Sequence, residues 1–144
     1  MRVYSRMAAD RRFESLLRRM PRDAAVAITY AQVLAERNTP AAGRKAQEAL
    51  RPIQARAGND PSFQRTFARA SEIAGEPVRA GEAWAEVAYL TGRAEQALLQ
   101  LQTLKQREDL DYYSRARIDA RIAQITPVVL ELRRQGIHDD VLDR

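Results

Sequence analysis

The chain has 144 residues, 45% hydrophobic and 30% charged, with 24 basic against 19 acidic side chains and no cysteine. That is enough chain for one ordinary domain with a core, and the composition is too balanced for wholesale disorder. The missing cysteines exclude disulfides, thiol catalysis and Cys-ligated zinc or iron–sulfur sites, and no run reaches the roughly 18 apolar residues of a membrane-spanning helix. The N-terminal MRVYSRMAAD has no apolar signal-peptide core, so any export signal is expected to be missing from this chain.

The net charge of +5 and pI near 10.1 raise the question of nucleic acid. Only Lys45 and Lys105 are lysines, and the arginines are interleaved with acids, as in Arg107-Glu108 and Arg117/Asp119/Arg121. No recognition-helix, zinc-finger or RNP pattern accompanies them. The expectation is a solvated, Arg-biased surface and no nucleic-acid site.

In chain order, residues 2–19 read as a helix with an uneven apolar face of Val3, Met7, Phe13, Leu16, Leu17 and Met20. Asp10 is a candidate N-cap that would interrupt it. Pro21 ends this segment, and Asp23 caps a second helix over 24–37, where Val26, Tyr30, Val33 and Leu34 recur among alanines. Thr39-Pro40 reads as cap and first residue of a third helix, carrying Ala42, Ala46, Ala49, Leu50 and Ile53. Gly43 and Pro52 weaken it, and a kink or end is expected near 51. In AGNDP (57–61), Gly58 or Asn59 supplies a left-handed stop, Asp60 a cap and Pro61 the next helix start. Helices are then expected at about 61–74, 77–91 and 93–106.

Residues 66–104 carry an echo at seventeen positions: Ala68 with Ala85, Ser71 with Ala88, Gly75 with Gly92, Ala80 with Ala97, Trp84 with Leu101, Val87 with Leu104. Seventeen is half the 34-residue length of a tetratricopeptide repeat, which places small residues where paired helices cross. Beyond Lys105, Asp109 or Asp111 starts a last helix over 111–135. Tyr112, Tyr113, Ala116, Ala120 and Ala123 lie on one side, and Ile118, Ile122, Ile125, Val129 and Leu132 recur at heptad spacing on another. Two readings stand for that seam, a capping helix on the final repeat or a homodimer interface. Pro127 should kink the helix or end it near Thr126. Gly136 closes the ordered chain and leaves 137–144 as a flexible tail.

The fold expected is therefore all-α: a tetratricopeptide-like array of antiparallel helix pairs, an α-solenoid of about six to seven helices with a long C-terminal capping helix. It forms a single domain over 1–136, with repeats at about 24–57, 61–91 and 93–106 and the cap at 111–135. The phase of 77–91 stays open between second helix of one repeat and first of the next. Trp84, Phe67, Tyr89 and Tyr30 are expected to pack in the core.

Catalytic chemistry finds no foothold. His138, the one histidine, sits with Asp139, Asp140 and Asp143 in the tail, too few ligands for a closed metal site. Phosphate-binding glycine runs, a G-x-S-x-G elbow and H-E-x-x-H are all missing from the sequence. No catalytic residue, metal ligand or cofactor is assigned. If 24–37 and 61–74 are first helices of their pairs, Gln32, Glu36, Arg65, Arg69 and Glu72 project to one side, the side on which curved helix arrays hold a peptide or protein.

The run from FARASEIAGEPVRAGEAWAEVAYLTGRAEQALLQL to DYYSRARIDARIAQI resembles the C-terminal repeat domain of periplasmic zinc metallopeptidases related to the beta-barrel assembly-enhancing protease. The residues that carry it are Gly92-Arg93 and Tyr113, Ala116, Arg117, Asp119, Ala120 and Arg121. The likeness is strong over 66–125 and weak over 20–65, and residues 126–144 depart from it. It implies a periplasmic setting and repeats that hold outer-membrane proteins or their assembly machinery. It also implies a zinc-bearing protease domain outside this chain, to which no residue here contributes a ligand. The reading is a non-catalytic protein-binding module of such a protease. The alternatives are a basic helical nucleic-acid-binding domain and an adaptor that homodimerises through 111–135.

Overall fold

A computed structural model describes residues 2–139, with side chains from Arg6 onward. All regular structure among them is helical: α1 (Arg2–Arg19), α2 (Ala24–Glu36), α3 (Pro40–Leu50), a 3₁₀ turn (Arg51–Ile53), the short α4 (Gln54–Ala57), α5 (Pro61–Ile73), α6 (Pro77–Leu90), α7 (Ala94–Lys105) and α8 (Tyr112–Arg134). The all-α expectation holds.

The helix starts follow from local chemistry. Asp23, Thr39, Asp60 and Asp111 each accept a hydrogen bond from a first-turn N–H, at 3.1, 3.2, 2.8 and 2.7 Å. Pro40 and Pro61 occupy first positions, where a missing N–H costs nothing. Gly75 (φ 80°) and Gly92 (φ 85°) both take the left-handed conformation that closes α5 and α6. Pro52 falls in the 3₁₀ turn that interrupts the third helix, at the expected place.

Three local expectations are not met as stated. Asp10 caps nothing: α1 runs through it, and its carboxylate pairs with Arg37 instead. Gly58 is right-handed (φ −60°), because its N–H continues the last turn of α4 to the Gln54 carbonyl. The non-glycine left-handed residue is Asn38 (φ 54°), a type that tolerates the conformation, just after α2. And α8 does not end at Thr126. Pro127 and Ala123, whose carbonyl loses its donor, are both exposed to water, and the Thr126 hydroxyl bonds the Ile122 carbonyl at 2.7 Å.

Where the sequence suggests a single domain over 1–136, the chain packs as two compact units, Met1–Gly75 and Glu76–Arg144. The division falls at the left-handed Gly75, inside the expected repeat 61–91, and α6 packs on α7.

In the first unit α3 lies against both α2 and α5, and α2 also touches α5. Leu34, Leu50, Ile53 and Phe63 are the unit's largest fully buried apolar side chains, and Ala27, Ala31, Ala46 and Ala70 are buried as well. Gly43 is the tightest point. A Cβ there would lie 2.6 Å from the Ala74 amide nitrogen and 2.8 Å from the Ala70 carbonyl oxygen. Beside it, the buried Gln47 side chain donates to the Ser71 hydroxyl at 3.0 Å and fixes the register of α3 on α5.

In the second unit α7 packs between α6 and α8. Ile118, Ile125 and Val129 are buried with Leu98, Leu101, Ala85, Ala88 and Ala97, and Ile122 and Leu132 pack against that cluster. The heptad seam is thus filled within the unit, as the capping reading expects. The far side of α8 is solvent-facing: Tyr112, Tyr113, Ala116, Ala120 and Ala123 are all exposed. Gly136 (φ 76°) closes α8, and Ile137 N–H returns to the Leu132 carbonyl at 2.9 Å. The tail is anchored as far as it is described, because the Asp139 carboxylate accepts from the Glu95 and Gln96 amides and caps α7. Asp140 and Asp143 lie outside the described residues.

The seventeen-residue echo holds where it pairs small residues, since Ala68, Ser71, Ala80, Ala85, Ala88 and Ala97 are all buried. It breaks at its largest member, because Trp84 is 38% exposed while its counterpart Leu101 is buried.

Gly43→Ala tests the close approach. In an open helix this change stabilises by up to about 1 kcal/mol. Here the new carbon meets backbone, so a net loss of about 1–3 kcal/mol in urea unfolding is expected; a gain would mean that α3 and α5 stand further apart.

Candidate partner-binding cleft

The exposed edge between α2 and α5 forms an open cleft of about 350 Å³ lined by Gln32, Ala35, Glu36, Arg65, Thr66 and Arg69. Four of the five residues expected to share a face therefore meet there, and Glu72 is not on its wall. The floor is Ala35 and Thr66, both buried, with the Thr66 hydroxyl donating to the Ser62 carbonyl at 2.8 Å. The Gln32 amide nitrogen makes a long 3.5 Å contact to the Thr66 hydroxyl, from a position 34 residues earlier in the chain. Gln32, Glu36, Arg65 and Arg69 are exposed at the rim. Among the described residues neither arginine has a carboxylate within ion-pairing distance, and Glu36 has no cation.

The position of α2 is fixed from its other side by α1. Arg37 grips Asp10 with two hydrogen bonds, Lys45 lies 3.0 Å from Glu14, and Tyr30 donates to Glu14 at 3.2 Å while its ring stacks on Phe13. The Arg37 hydrogen bonds hold the Asp10 carboxyl below the usual carboxylate range, against the opposing effect of burial. Lys45 lowers Glu14 in the same way, and burial pushes the Tyr30 phenol up. Local sequence patterns show no sign of this cluster, because its members come from α1, from α3, and from α2 with its C-terminal cap. Glu36 also lines a second concavity, between α1 and α2, with Arg6, Ala9, Val33 and Arg37.

The cluster has a definite pH signature. A carboxyl whose folded pKa is depressed contributes its full stabilisation above its unfolded pKa, about 3.9 for Asp, and loses it as pH falls through the folded value. Lys45 is raised, so its share persists until pH climbs beyond about 10, its unfolded value, and Arg37, also raised, stays charged beyond that. Asp10→Asn should therefore cost about 1 kcal/mol at neutral pH and nearly nothing near pH 2, read by urea unfolding; an equal cost at both would remove the ion pair as the cause.

In the second unit the residues that carry the family resemblance have a structural task. Arg117 makes paired bonds to Glu82, Arg121 makes paired bonds to Glu86, and Asp119 lies 2.7 Å from Lys105, at an angle that makes an ion contact rather than a hydrogen bond. Arg121 also covers the Tyr89 ring at 4.8 Å. These charges dock α8 on α6 and α7. Trp84, expected in the core, instead joins the exposed Leu99 and the half-buried Leu104 on an apolar cleft of about 520 Å³. The Gln100 carbonyl oxygen is buried on that wall without a hydrogen-bond partner. His138 contacts Glu95 at 2.8 Å, and no metal-holding group of His, Asp and Glu occurs among the described residues.

Because these pairs are half-exposed, each is worth little alone. The double change Arg117→Gln with Arg121→Gln should lower stability by about 1–2 kcal/mol and raise hydrogen exchange along α8 more than along α2. Unchanged protection of α8 would show that its apolar seam suffices.

Comparison of the chain with protein-family models, with curated proteins and with solved structures gave no match.

Proposed function

We propose that this chain is a non-catalytic protein-binding module of tetratricopeptide type and that its partner lies in the cleft between α2 and α5. The observation that carries the reading is the convergence of Gln32 and Glu36 from one helix with Arg65 and Arg69 from another over a small, buried floor. Charged rim side chains that make no ion pair among the described residues, on a helical base, suit recognition, since binding breaks no ion pair that holds the fold. Two features support the repeat reading. Gln32 and Thr66, which touch, are one tetratricopeptide length apart, and the left-handed glycines 75 and 92 close successive helices.

The resemblance of residues 66–125 supports placing the module in a periplasmic zinc metallopeptidase that acts in outer-membrane protein assembly and quality control. The catalytic zinc would belong to another part of that protein, and this part would hold the client or the assembly machinery. The coding sequence upstream of Met1 tests the assignment, because an H-E-x-x-H motif is expected there.

The binding itself is tested by surface-immobilised chain challenged with an outer-membrane β-barrel protein diluted from urea. Arg65→Glu with Arg69→Glu should reduce capture about tenfold or more at an unchanged melting temperature. Capture that survives the double change would put the partner elsewhere.

A further inference from the structure

Resting on that reading, we propose that the α2–α5 cleft selects an acidic segment of its partner, with side-chain carboxylates held by Arg65 and Arg69. The charge of the molecule is divided unevenly. Residues 1–75 hold fourteen basic and seven acidic side chains, whereas residues 76–144 hold ten and twelve. The whole cationic excess therefore resides in the unit that contains the cleft, and its field draws anionic segments toward that unit.

Within the unit, cations near the α1–α2–α3 contact are already neutralised, Arg37 by Asp10 and Lys45 by Glu14. Arg65 and Arg69 are different. They sit four residues apart on α5, where like charges repel mildly, and among the described residues neither has an acid to relieve it. A carboxylate between two such guanidinium forks gains charge-assisted hydrogen bonds and removes that repulsion at once.

The opposite wall decides what kind of anion fits. Glu36 and the Gln32 amide face the arginines from α2. A phosphodiester backbone following the cleft would bring a charge on every linkage past Glu36. An extended peptide presents carboxylates on one side and its own N–H groups, or a basic side chain, on the other. The arrangement thus favours acidic peptide over nucleic acid, and a cleft of about 350 Å³ holds only a few side chains.

The test is fluorescence anisotropy of the full chain with four labelled probes: a Glu/Ser repeat peptide, its Gln/Ser isostere, a Lys/Ser counterpart and an oligothymidylate. The Glu/Ser peptide should bind about ten- to a hundred-fold tighter than the Gln/Ser peptide, the range expected for losing one or two charge-assisted contacts. Arg65→Gln with Arg69→Gln should erase that difference and leave thermal unfolding unchanged. Arg65→Lys with Arg69→Lys should keep part of it. Glu36→Gln should strengthen Glu/Ser and oligothymidylate binding alike.

Equal affinity for the Glu/Ser and Gln/Ser peptides overturns the acidic selection while leaving protein binding at this cleft intact. Preference for the Lys/Ser peptide, or no binding of any probe, overturns it also. Tight, salt-sensitive binding of the oligothymidylate with no peptide bound overturns both the selection and the protein-binding reading.

Discussion

A methyl group at position 43 would put its carbon 2.6 Å from the amide nitrogen of Ala74, so α3 and α5 meet backbone against backbone. That approach is tolerable only because the contact side of α3 is glycine and alanine, and the Gln47–Ser71 hydrogen bond locks the register once the two helices touch. α2 packs on both helices, so its distance from α5 follows from theirs. The cleft is a consequence. Ala35 and Thr66 are buried at its floor, Gln32 and Glu36 line it with Arg65 and Arg69, and the Gln32 amide reaches the Thr66 hydroxyl at 3.5 Å. Enlarging a residue in the α3–α5 crossing should therefore alter binding without touching a rim side chain.

Charge does different work in different places. Asp10 with Arg37, and Glu14 with Lys45, join helices whose apolar contact is thin, since Leu16 and Leu17 on α1 are only half-buried. Glu82 with Arg117, and Glu86 with Arg121, perform the same service for α8. Each pair is modest in half-exposed surroundings, and their value lies in fixing which way a helix faces. Arg65 and Arg69 are excused from that duty. Among the described residues they enter no ion pair, so this network does not depend on them.

What the sequence revealed and what it concealed divide along the range of the interactions. Thr39-Pro40, Asp60-Pro61, Gly75 and Gly92 are legible because a cap or a left-handed stop is settled within a few residues. Helical spacing, with 24–37 and 61–74 taken as first helices, placed Gln32, Glu36, Arg65, Arg69 and Glu72 on one side, and all but Glu72 line the cleft. Gly43 looked like a weak point in a helix because the backbone it meets is some thirty residues away in the chain. Asp10 looked like a cap because its real partner, Arg37, belongs to another helix. Trp84 satisfied the apolar spacing yet stands at a surface cleft, since periodicity identifies a side of a helix and not what covers it.

The separation of scaffold from cleft bears on the family resemblance. The residues that carry the likeness most specifically, Arg117, Asp119 and Arg121, are engaged in docking α8, so they report how the last helices pack and not what is bound. Gln32, Glu36 and Arg65 lie before residue 66, where the likeness is weak. A chain could therefore share this helical packing with a protease-associated repeat domain and still bind a different partner. On the proposed reading specificity would lie in the charges of the α2–α5 rim, whose four side chains are exposed above a buried floor.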